Sequence, residues 1–448
     1  MSLEPARKRA RTSTKSRDSA VRSDLVYKSY PAYQEDIVDY YSDYIRPRHI
    51  QGKGDSVILE IAGGSFSLPF DECFITCTYK IEKKNDQGAW VSVDHTGVDA
   101  TLAPVQNVLE SLFIQYDISI NGKIISETSN MFPYVGHVVK LLNYSTEAKN
   151  TYLSNTGWHT DTASPDDNSV TNKGWVARRD RIKNGREDVV SGILYSDVCY
   201  ALAQIPSNTD ITLILHKSKP EFFLQGGDAT KTYRVDVTDI ELETRKYELS
   251  AKRSLDIERT LAASGGGIVP FTHLAATNHF IPVGTTAFQI PRLVLGQVPN
   301  RIVFGVVSNA AFEGDVTKSP YNYILNGVSN IQLSIDGKPL PTRALDLTND
   351  VKAYENLFRA TGQYGMNSTN GITFDQYKNG CHLYVFNTRP DQCTRQDIFP
   401  ERRYGTVSMR IGFESATSEG LIVIVLCEFD QLYSIDKLRN ITSDHGTH

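Results

Sequence analysis

The sequence has few cysteines, and none of them is spaced as a redox or zinc motif requires. The 448 residues include six cysteines, and no Cys-x-x-Cys pair occurs. Because small secreted domains use paired cysteines as a disulfide framework, this pattern indicates reduced thiols in a cytosolic or nuclear protein. We expect no secretory signal, since the amino-terminal residues are basic and polar with no apolar segment behind them.

Long hydrophobic stretches are also missing. The longest apolar run, Leu421 to Cys427, is far shorter than the roughly 20 residues that a membrane-spanning helix needs. Long amphipathic helical patterns are few, whereas 23 tyrosines, 18 phenylalanines and frequent β-branched runs are present. This composition predicts a mainly-β protein without a transmembrane segment.

No motif for catalysis or cofactor binding is found. The ten histidines form no His-x-His, His-Glu-x-x-His or Cys/His zinc pattern, and there is no Gly-x-Ser-x-Gly elbow. The only run of three glycines, at 265–267, is not followed by the Gly-Lys-Ser/Thr of a phosphate-binding loop, so a flexible joint is the better interpretation. We therefore expect no enzyme activity, no cofactor and no metal.

What the sequence does contain is a repeat. Residues 117–123 read DISINGK and residues 332–338 read QLSIDGK, which align without a gap at an offset of 215 residues. Each segment alternates apolar and polar residues as a half-buried strand does, and then turns. The Asn-Gly at 121–122 and the Asp-Gly at 336–337 predict type I′ hairpin turns, which need positive φ at both central residues.

A helix is predicted after each hairpin. The first has Pro133, Tyr134, Val138, Leu141 and Leu142 at helical spacing. The second has Asn349 as its N-cap, then Val351, Tyr354, Leu357 and Phe358, with Gly362 as its stop. Apolar runs at 211–215 and 421–429 are interpreted as the closing strands of the two halves. The shared order indicates two tandem copies of one β domain.

The length supports this division, because 448 residues are too many for one hydrophobic core. Short strands separated by turn residues are typical of sandwiches or jelly rolls. We predict an amino-terminal arm at 1–50, basic at 1–22 and tyrosine-rich at 23–50. We predict a first β domain at 51–250 and a second at 251–448 that includes the carboxy-terminal tail, with the joint between 245 and 270.

The arm differs in charge from the rest of the chain. Residues 1–22 carry a net charge of +5 and the whole chain carries −5, so the body is about −10. Such a segment has too little apolar surface to fold alone and should be disordered. Three uses remain open: contact with nucleic-acid phosphates, nuclear import, or a solvated tail that folds under a neighbouring subunit. The candidate contact residues are Arg7, Lys8, Arg9, Arg11, Lys15 and Arg17.

Two long polar regions interrupt the β pattern. Residues 143–188 are rich in Asn, Asp, Thr and Ser, and residues 361–380 form a shorter counterpart. Loops of this length on a β scaffold are usually functional or interfacial. The adjacent acids Asp166 and Asp167 are interpreted as part of a solvated loop rather than as a metal site. The first region also contains Arg178, Arg179, Arg181 and Arg186.

Residues 290–323 begin IPRLVLGQVPNRIVFG and end KSPYNY, and residues 107–113 read NVLESLF ahead of the first hairpin. These segments, the first of them the most specific, resemble the major capsid protein of Polinton (Maverick) elements and adintoviruses. The resemblance covers roughly residues 50–440, whereas the basic amino terminus has no clear counterpart. Shorter matches are Pro133-Tyr134, Glu428-Phe429, Ile435-Asp436 and Arg439-Asn440.

The resemblance implies a double jelly roll with short helices in its loops, three copies of which form a pseudo-hexameric capsomer. The implied function is that of the structural major capsid protein of an icosahedral DNA virus or a virus-like transposon. Its implied partners are itself, neighbouring capsomers, a penton or minor capsid protein, and genomic DNA through the arm. Its location would be the virion, with assembly in the host nucleus. The alternatives are a jelly-roll glycan- or receptor-binding module and a penton-like minor capsid protein.

Overall fold

The structure is a computed structural model, and it confirms a mainly-β protein. Its sheets are built from antiparallel strands joined by short helices and long loops. The residues that it describes are 36–47, 56–193, 195, 205–228, 230–263, 266–324, 327–347, 350–392 and 400–443.

Twenty strands are formed by the described residues. In chain order they are β1 (Ile37–Ile45), β2 (Ser56–Ile61), β3 (Phe74–Lys84), β4 (Trp90–Ser92), β5 (Ala103–Pro104), β6 (Phe113–Ile120), β7 (Lys123–Glu127), β8 (Asp188–Ile193), β9 (Ile211–Lys217), β10 (Leu224–Gln225), β11 (Tyr233–Leu249), β12 (Gly267–Ile281), β13 (Ala287–Gln297), β14 (Arg301–Ser308), β15 (Val328–Ile335), β16 (Lys338–Asp346), β17 (Leu383–Asn387), β18 (Tyr404–Phe413), β19 (Leu421–Ile435) and β20 (Ile441–Ser443).

The helices lie between these strands and are mostly short. They are α1 (Val108–Ser111), α2 (Phe132–Asn143), α3 (Thr146–Asn150), α4 (Lys173–Ile182), α5 (Pro220–Phe223), α6 (Ala251–Ala262), α7 (Asn309–Glu313), α8 (Asp350–Thr361) and α9 (Phe374–Lys378). Single 3₁₀ turns add Phe70–Glu72, Gly97–Thr101, Tyr152–Thr156 and Lys183–Gly185.

The same two sheets are built twice. In the first half the strand orders are β1-β11-β3-β8 and β2-β9-β6-β7. In the second half they are β12-β19-β14-β17 and β13-β18-β15-β16, strand for strand in the same order. Eight strands in two four-stranded antiparallel sheets of this connectivity form a jelly roll. The chain therefore contains two tandem jelly rolls, as the sequence repeat predicted. The short β4 and β20 extend the first sheet of each half.

The two predicted hairpins occupy equivalent places, β6-β7 and β15-β16, at the edge of the second sheet of each half. The alternation is confirmed, because Tyr116, Ile118 and Ile120 are buried on β6, as are Ile331 and Leu333 on β15. Both turns are confirmed as well. At 121–122 the φ angles are 50° and 77°, and at 336–337 they are 50° and 76°, as a type I′ turn requires.

Both predicted helices are present. Helix α2 is buried over 132–142, and helix α8 ends before Gly362, whose φ of 73° only glycine adopts without strain. Val351, which was predicted in helix α8 together with Tyr354, Leu357 and Phe358, is 59% exposed at the first turn. The predicted N-cap, Asn349, lies outside the described residues.

The prediction of the first closing strand was wrong. The run at 211–215 belongs to β9, which pairs with β6 and corresponds to β18. The counterpart of β19 is instead β11, which pairs with β1 and β3. Buried and half-buried positions alternate along most of β11, whereas β19 is buried along nearly its whole length. The polar residues of the half-exposed strand therefore weakened its hydrophobic signal.

Strand β1 lies within the segment that we assigned to the arm. It pairs with β11 from Ile37 to Ile45, so these residues belong to the first jelly-roll sheet rather than to a separate arm. At the other proposed boundary, helix α6 stands between β11 and β12, and the Ser250 side chain caps it by accepting from the Arg253 N–H. The boundary at 250/251 stays a prediction.

Candidate assembly site: the seam between the jelly rolls

The two jelly rolls meet along a buried contact that we call the seam. Its first-half side includes Ser111, helix α2, Phe222 and the polar residues from 146 to 166. Its second-half side includes residues 312–323 and 363–380. Both long polar regions predicted from the sequence therefore lie at this contact. These regions were predicted to be functional or interfacial, and the structure places them at an interface between the two halves of one chain.

Aromatic rings fill the centre of the seam. The ring of Tyr134 on α2 lies 5.8 Å from the rings of Phe312 and Tyr321, both from the second half. His137, one turn further along α2, stacks on Tyr321 with ring centroids 4.1 Å apart and planes 6° from parallel. Such pairs contribute about 0.5–1.5 kcal/mol each beyond the burial of their area, so they hold the halves in one relative position.

The imidazole of His137 is a neutral member of this cluster. It is buried, and burial lowers its pKa well below the ordinary value, with nearby Lys149, Lys140 and Arg178 acting in the same direction. Its Nε2 lies 3.1 Å from Gln106 Oε1. A ring that stays uncharged at neutral pH stacks on a tyrosine without the cost of desolvating an ion.

A buried ion pair stands behind the aromatic cluster. Lys140 Nζ lies 2.6 Å from Glu110 Oε2, and both side chains are at most 1% exposed. The same ammonium donates to Asn107 Oδ1 at 2.8 Å and to Thr156 Oγ1 at 3.0 Å, so all three of its hydrogens are used. Burial lowers the pKa of Lys140 and raises that of Glu110, and their mutual attraction opposes both shifts.

Polar contacts cross the seam on either side of the rings. Asp166 accepts the Ser319 N–H through Oδ1 and the Asn322 amide through Oδ2, each at 2.6 Å. Gln363 donates from Nε2 to the Leu142 carbonyl at 2.7 Å, where helix α2 ends. Asp166 was expected in a solvated loop, and that interpretation was wrong. Its partners lie more than 150 residues away, so nothing local in the sequence indicated them.

A second contact between the halves lies away from the seam. The turn of the first hairpin donates from Asn121 Nδ2 to the Arg439 carbonyl at 2.8 Å and from Lys123 Nζ to the Ile441 carbonyl at 3.1 Å. The Arg439 side chain in turn donates to the Ser207 carbonyl at 2.8 Å. Contacts at two separate places oppose rotation of one jelly roll against the other.

An edge strand of the first half carries exposed aromatic side chains. On β1, Tyr40, Tyr41 and Tyr44 are 60%, 50% and 58% exposed. The ring centroid of Tyr40 lies 6.5 Å from that of Tyr247 on β11, and the Tyr41 ring lies edge-on to Phe66 at 6.3 Å. Each of the three tyrosines is nevertheless at least half exposed. Tyrosines are enriched at protein interfaces, and a sheet edge is a ready site for contact with another chain.

Arg178, which was expected in a polar loop, is buried in the structure. It donates to the Pro104 and His159 carbonyls and to Asp161. Lys140 and Glu110 were not predicted at all, because they come from separate segments and neither is unusual in its local pattern. The arm residues Arg7, Lys8, Arg9, Arg11, Lys15 and Arg17 lie outside the described residues.

Neither a metal-binding cluster nor a membrane-spanning helix occurs in the part of the chain that the structure describes. No three His, Cys, Asp or Glu side chains gather there as metal ligands would. None of the helices over those residues is long and apolar enough to cross a membrane.

Comparison by sequence finds one distant relative and no family. An uncharacterized protein of Caenorhabditis elegans, F54H12.2, is 24% identical over 384 residues, which cover 83% of this chain and 89% of the relative. No family model matches the chain.

Comparison by structure gives matches over almost the whole chain. A chain of the Sputnik virophage, solved by cryo-electron microscopy, matches with a TM-score of 0.64 at 10% identity, over 96% of this chain and 93% of that one. The mavirus major capsid protein matches with 0.52 at 12% identity, over 95% of each chain. The faustovirus major capsid protein matches with 0.54 at 9% identity, over 91% and 92%. These likenesses show the fold, and the chain is therefore a double jelly-roll protein.

Proposed function

We propose that this chain is the major capsid protein of an icosahedral DNA virus or of a virus-like transposon of the Polinton type. The observation that carries the proposal is the repetition of one complete jelly roll, in the same strand order, across nearly the whole chain. Solved structures of this architecture include the major capsid proteins of mavirus and faustovirus. The segments that resemble Polinton capsid proteins support the narrower assignment. Two jelly rolls in one chain favour it over a penton-like protein, which needs only one.

The proposed building block is a homotrimer. Three chains that each present two similar jelly rolls close into a ring with six similar sides, which suits hexagonal packing in a shell. The seam supports this arrangement, because it makes the two jelly rolls of one chain a single body. We place the exposed tyrosines of β1 at a contact between chains. A permanent contact of this kind buries more than about 2,000 Å².

The arm is proposed to face the inside of the shell. Its candidate contact residues, Arg7, Lys8, Arg9, Arg11, Lys15 and Arg17, would contact genomic DNA or neighbouring acidic capsomers, and they also suit nuclear import before assembly. Each phosphate neutralised on duplex DNA contributes a salt slope of about 0.9. Deletion of residues 1–22 should leave the trimer intact and reduce particle assembly or DNA retention. Unchanged assembly and packaging would leave nuclear import as the use of the arm.

The domain limits and further partners complete the proposal. We assign residues 51–250 to the first jelly roll, with β1 added to its sheet, and 251–448 to the second. The proposed location is the virion, where a penton or minor capsid protein would occupy the positions that trimers cannot fill.

Sedimentation velocity of the purified full chain tests the building block. A trimer of about 150 kDa is expected, since the chain has a mass of 50.0 kDa. The double variant Tyr40→Ser/Tyr44→Ser should dissociate while circular dichroism stays unchanged. Tyr364→Ser, at a tyrosine 65% exposed on the second half, is the matched control and should stay trimeric. A stable wild-type monomer at micromolar concentration would contradict the proposal, and electron microscopy of assembled particles would test the shell itself.

A further inference from the structure

A cavity opens at one end of the seam. Its volume is about 200 Å³, and both halves line it. Its walls include the apolar side chains of Leu141, Trp158 and Ile372. Asn150 and Asn379, which also line it, are exposed and therefore lie at its mouth. The cavity is thus a partly apolar recess that small solutes reach from the solvent.

Lys149 carries a buried charge in the wall of this cavity. Its residue is 6% exposed, and its Nζ donates to the Leu141 carbonyl at 2.7 Å and to the Asn370 carbonyl at 2.6 Å. An ammonium has three hydrogens, so two neutral acceptors leave one hydrogen without an acceptor. The Trp158 ring, whose centroid lies 6.0 Å from Nζ, offsets part of the charge, but no carboxylate pairs with it among the described residues. Such a charge in a poorly hydrated recess favours an anion beside it.

The neighbouring buried carboxylates already belong to other cations. Glu110 pairs with Lys140, and Asp161, although it lines the cavity, pairs with Arg178 at 3.0 Å. Within the described ranges, no ion pair joins Lys149 to an acidic side chain. Lys149 is therefore a buried cation of the cavity wall that has no carboxylate partner of its own among the described residues.

Asn370 supplies a second free donor from the other half. Its residue is 1% exposed and lines the same cavity. Its Oδ1 accepts the Ile372 N–H at 3.0 Å, which fixes the orientation of the amide. Its Nδ2 has no hydrogen-bond partner among the described residues. A buried amide donor without a partner is costly, and a bound acceptor relieves that cost.

We propose that this cavity is a binding site for a small anion whose oxygen accepts from both Lys149 Nζ and Asn370 Nδ2. The chemical class is a small carboxylate or inorganic phosphate, which share that acceptor geometry. The volume suits an anion of a few heavy atoms with some water, because each water takes about 30 Å³ and pockets for larger ligands span about 300–1,000 Å³.

Occupancy of the site connects the two jelly rolls. Lys149 comes from helix α3 of the first half and Asn370 from the polar region of the second. A ligand held by both stabilises the folded chain by mass action, as any ligand specific for the native state does. The site does not depend on capsid assembly. A failure to bind anions would therefore not contradict the proposed function, and a failure to assemble would not contradict the site.

Calorimetric titration of the purified full chain with sodium acetate and with sodium phosphate tests the site. Both titrations are run at a constant pH below about 7, where the Lys149 ammonium keeps its proton, and at an ionic strength set with sodium chloride. Thermal unfolding is followed in the same buffers. We expect saturable binding of at least one anion and a rise in Tm with its concentration. Binding of acetate alone assigns a carboxylate site, and binding of phosphate alone assigns a phosphate site.

Two variants and a control localise the binding. Lys149→Met should abolish it, and Asn370→Ala should weaken it about tenfold or more, the loss expected for one hydrogen bond to a charged group. Lys352→Met, at an exposed lysine of α8, should bind like the wild type. If Lys149→Met does not fold, as judged by circular dichroism, Asn370→Ala decides. Absence of binding by both anions, or binding that Asn370→Ala leaves unchanged, would overturn the site.

Discussion

At the scale of single residues, the polar groups of the seam matter more than their number suggests. Lys140 and Glu110 form a fully buried pair whose ammonium has every hydrogen satisfied. A buried pair of this kind adds little net stability over apolar residues of the same shape. Loss of one partner is a different matter, because it leaves the other as an uncompensated buried charge.

Lys140→Met should therefore destabilise the chain by about 3–5 kcal/mol in chemical denaturation. The double variant Lys140→Met/Glu110→Gln should recover much of that loss, because neither charge then remains buried. Lys352→Met serves as the exposed control and should stay within about 0.5 kcal/mol of wild type. A single variant Lys140→Met as stable as the control would show that the pair carries no such cost.

Lys149 gives a prediction for pH. Burial lowers its pKa from 10.5 to about 7. Between those values the unfolded chain binds a proton that the folded chain does not, so the free energy of unfolding rises with pH. Relative to Lys149→Met, the wild type should gain up to about 1.4 kcal/mol per pH unit from pH 7 to 9. Buffers free of carboxylates and phosphate leave out the proposed ligands, and parallel stability curves for the two proteins would refute the shifted pKa.

At the scale of elements, the two hairpins are equivalent in place and in backbone geometry. Each ends its strand in a turn with two positive φ angles, and each lies at the edge of the same sheet of its jelly roll. They differ in the first turn residue, Asn121 against Asp336. An ideal Cβ built on Gly122 or on Gly337 meets nothing within 4 Å. Any cost of a side chain there is therefore a cost of backbone conformation alone.

Gly122→Ala and Gly337→Ala should each destabilise the protein by about 1–2 kcal/mol, and by similar amounts, because alanine is disfavoured at positive φ. Asp336→Asn, which copies the first turn into the second hairpin, is the control and should change the free energy of unfolding by less than about 0.5 kcal/mol. Urea denaturation measures all three. A neutral effect of either glycine substitution would argue against the type I′ geometry at that turn.

At the scale of the whole molecule, the seam joins two jelly rolls that have separate sheets. The Tyr134 cluster, the Asp166 hydrogen bonds and the contact of Arg439 lie at different places along that contact. Because both halves share these buried groups, exposure of one half would leave polar and aromatic groups of the other unpartnered. We therefore expect the chain to unfold as one cooperative unit.

Differential scanning calorimetry should show a single transition in which the calorimetric and van't Hoff enthalpies per cooperative chain agree. Asp166→Ala should lower Tm, since it leaves the Ser319 N–H and the Asn322 amide without their acceptor. Asp167→Ala is the matched control, because the carboxylate of the adjacent half-buried Asp167 accepts from Ser169 and Thr171 of its own loop and makes no hydrogen bond to the described residues across the seam. Two resolved transitions in the wild type would show that the seam does not couple the halves.

The amino-acid sequence by itself determined the mainly-β class, both hairpins and the helix after each of them. These features depend on neighbours within a few residues: alternation at Ile118 and Ile120, the glycines at 122 and 337, and the apolar face of α2. The spacing of apolar residues and the residue preferences of turns are local properties, so they can be recognised before any long-range contact is known.

Only the tertiary structure decided which strands close each sheet and which polar residues are buried. The pairing of β1 and β3 with β11, and not with β9, joins segments that no local pattern links. Lys140 and Asp166 look like solvent-exposed residues in sequence, yet their partners lie 30 and more than 150 residues away. A charge can be buried at low cost only when another group pairs with it or hydrogen-bonds to it. Here those groups are distant in sequence, so only folding brings them together.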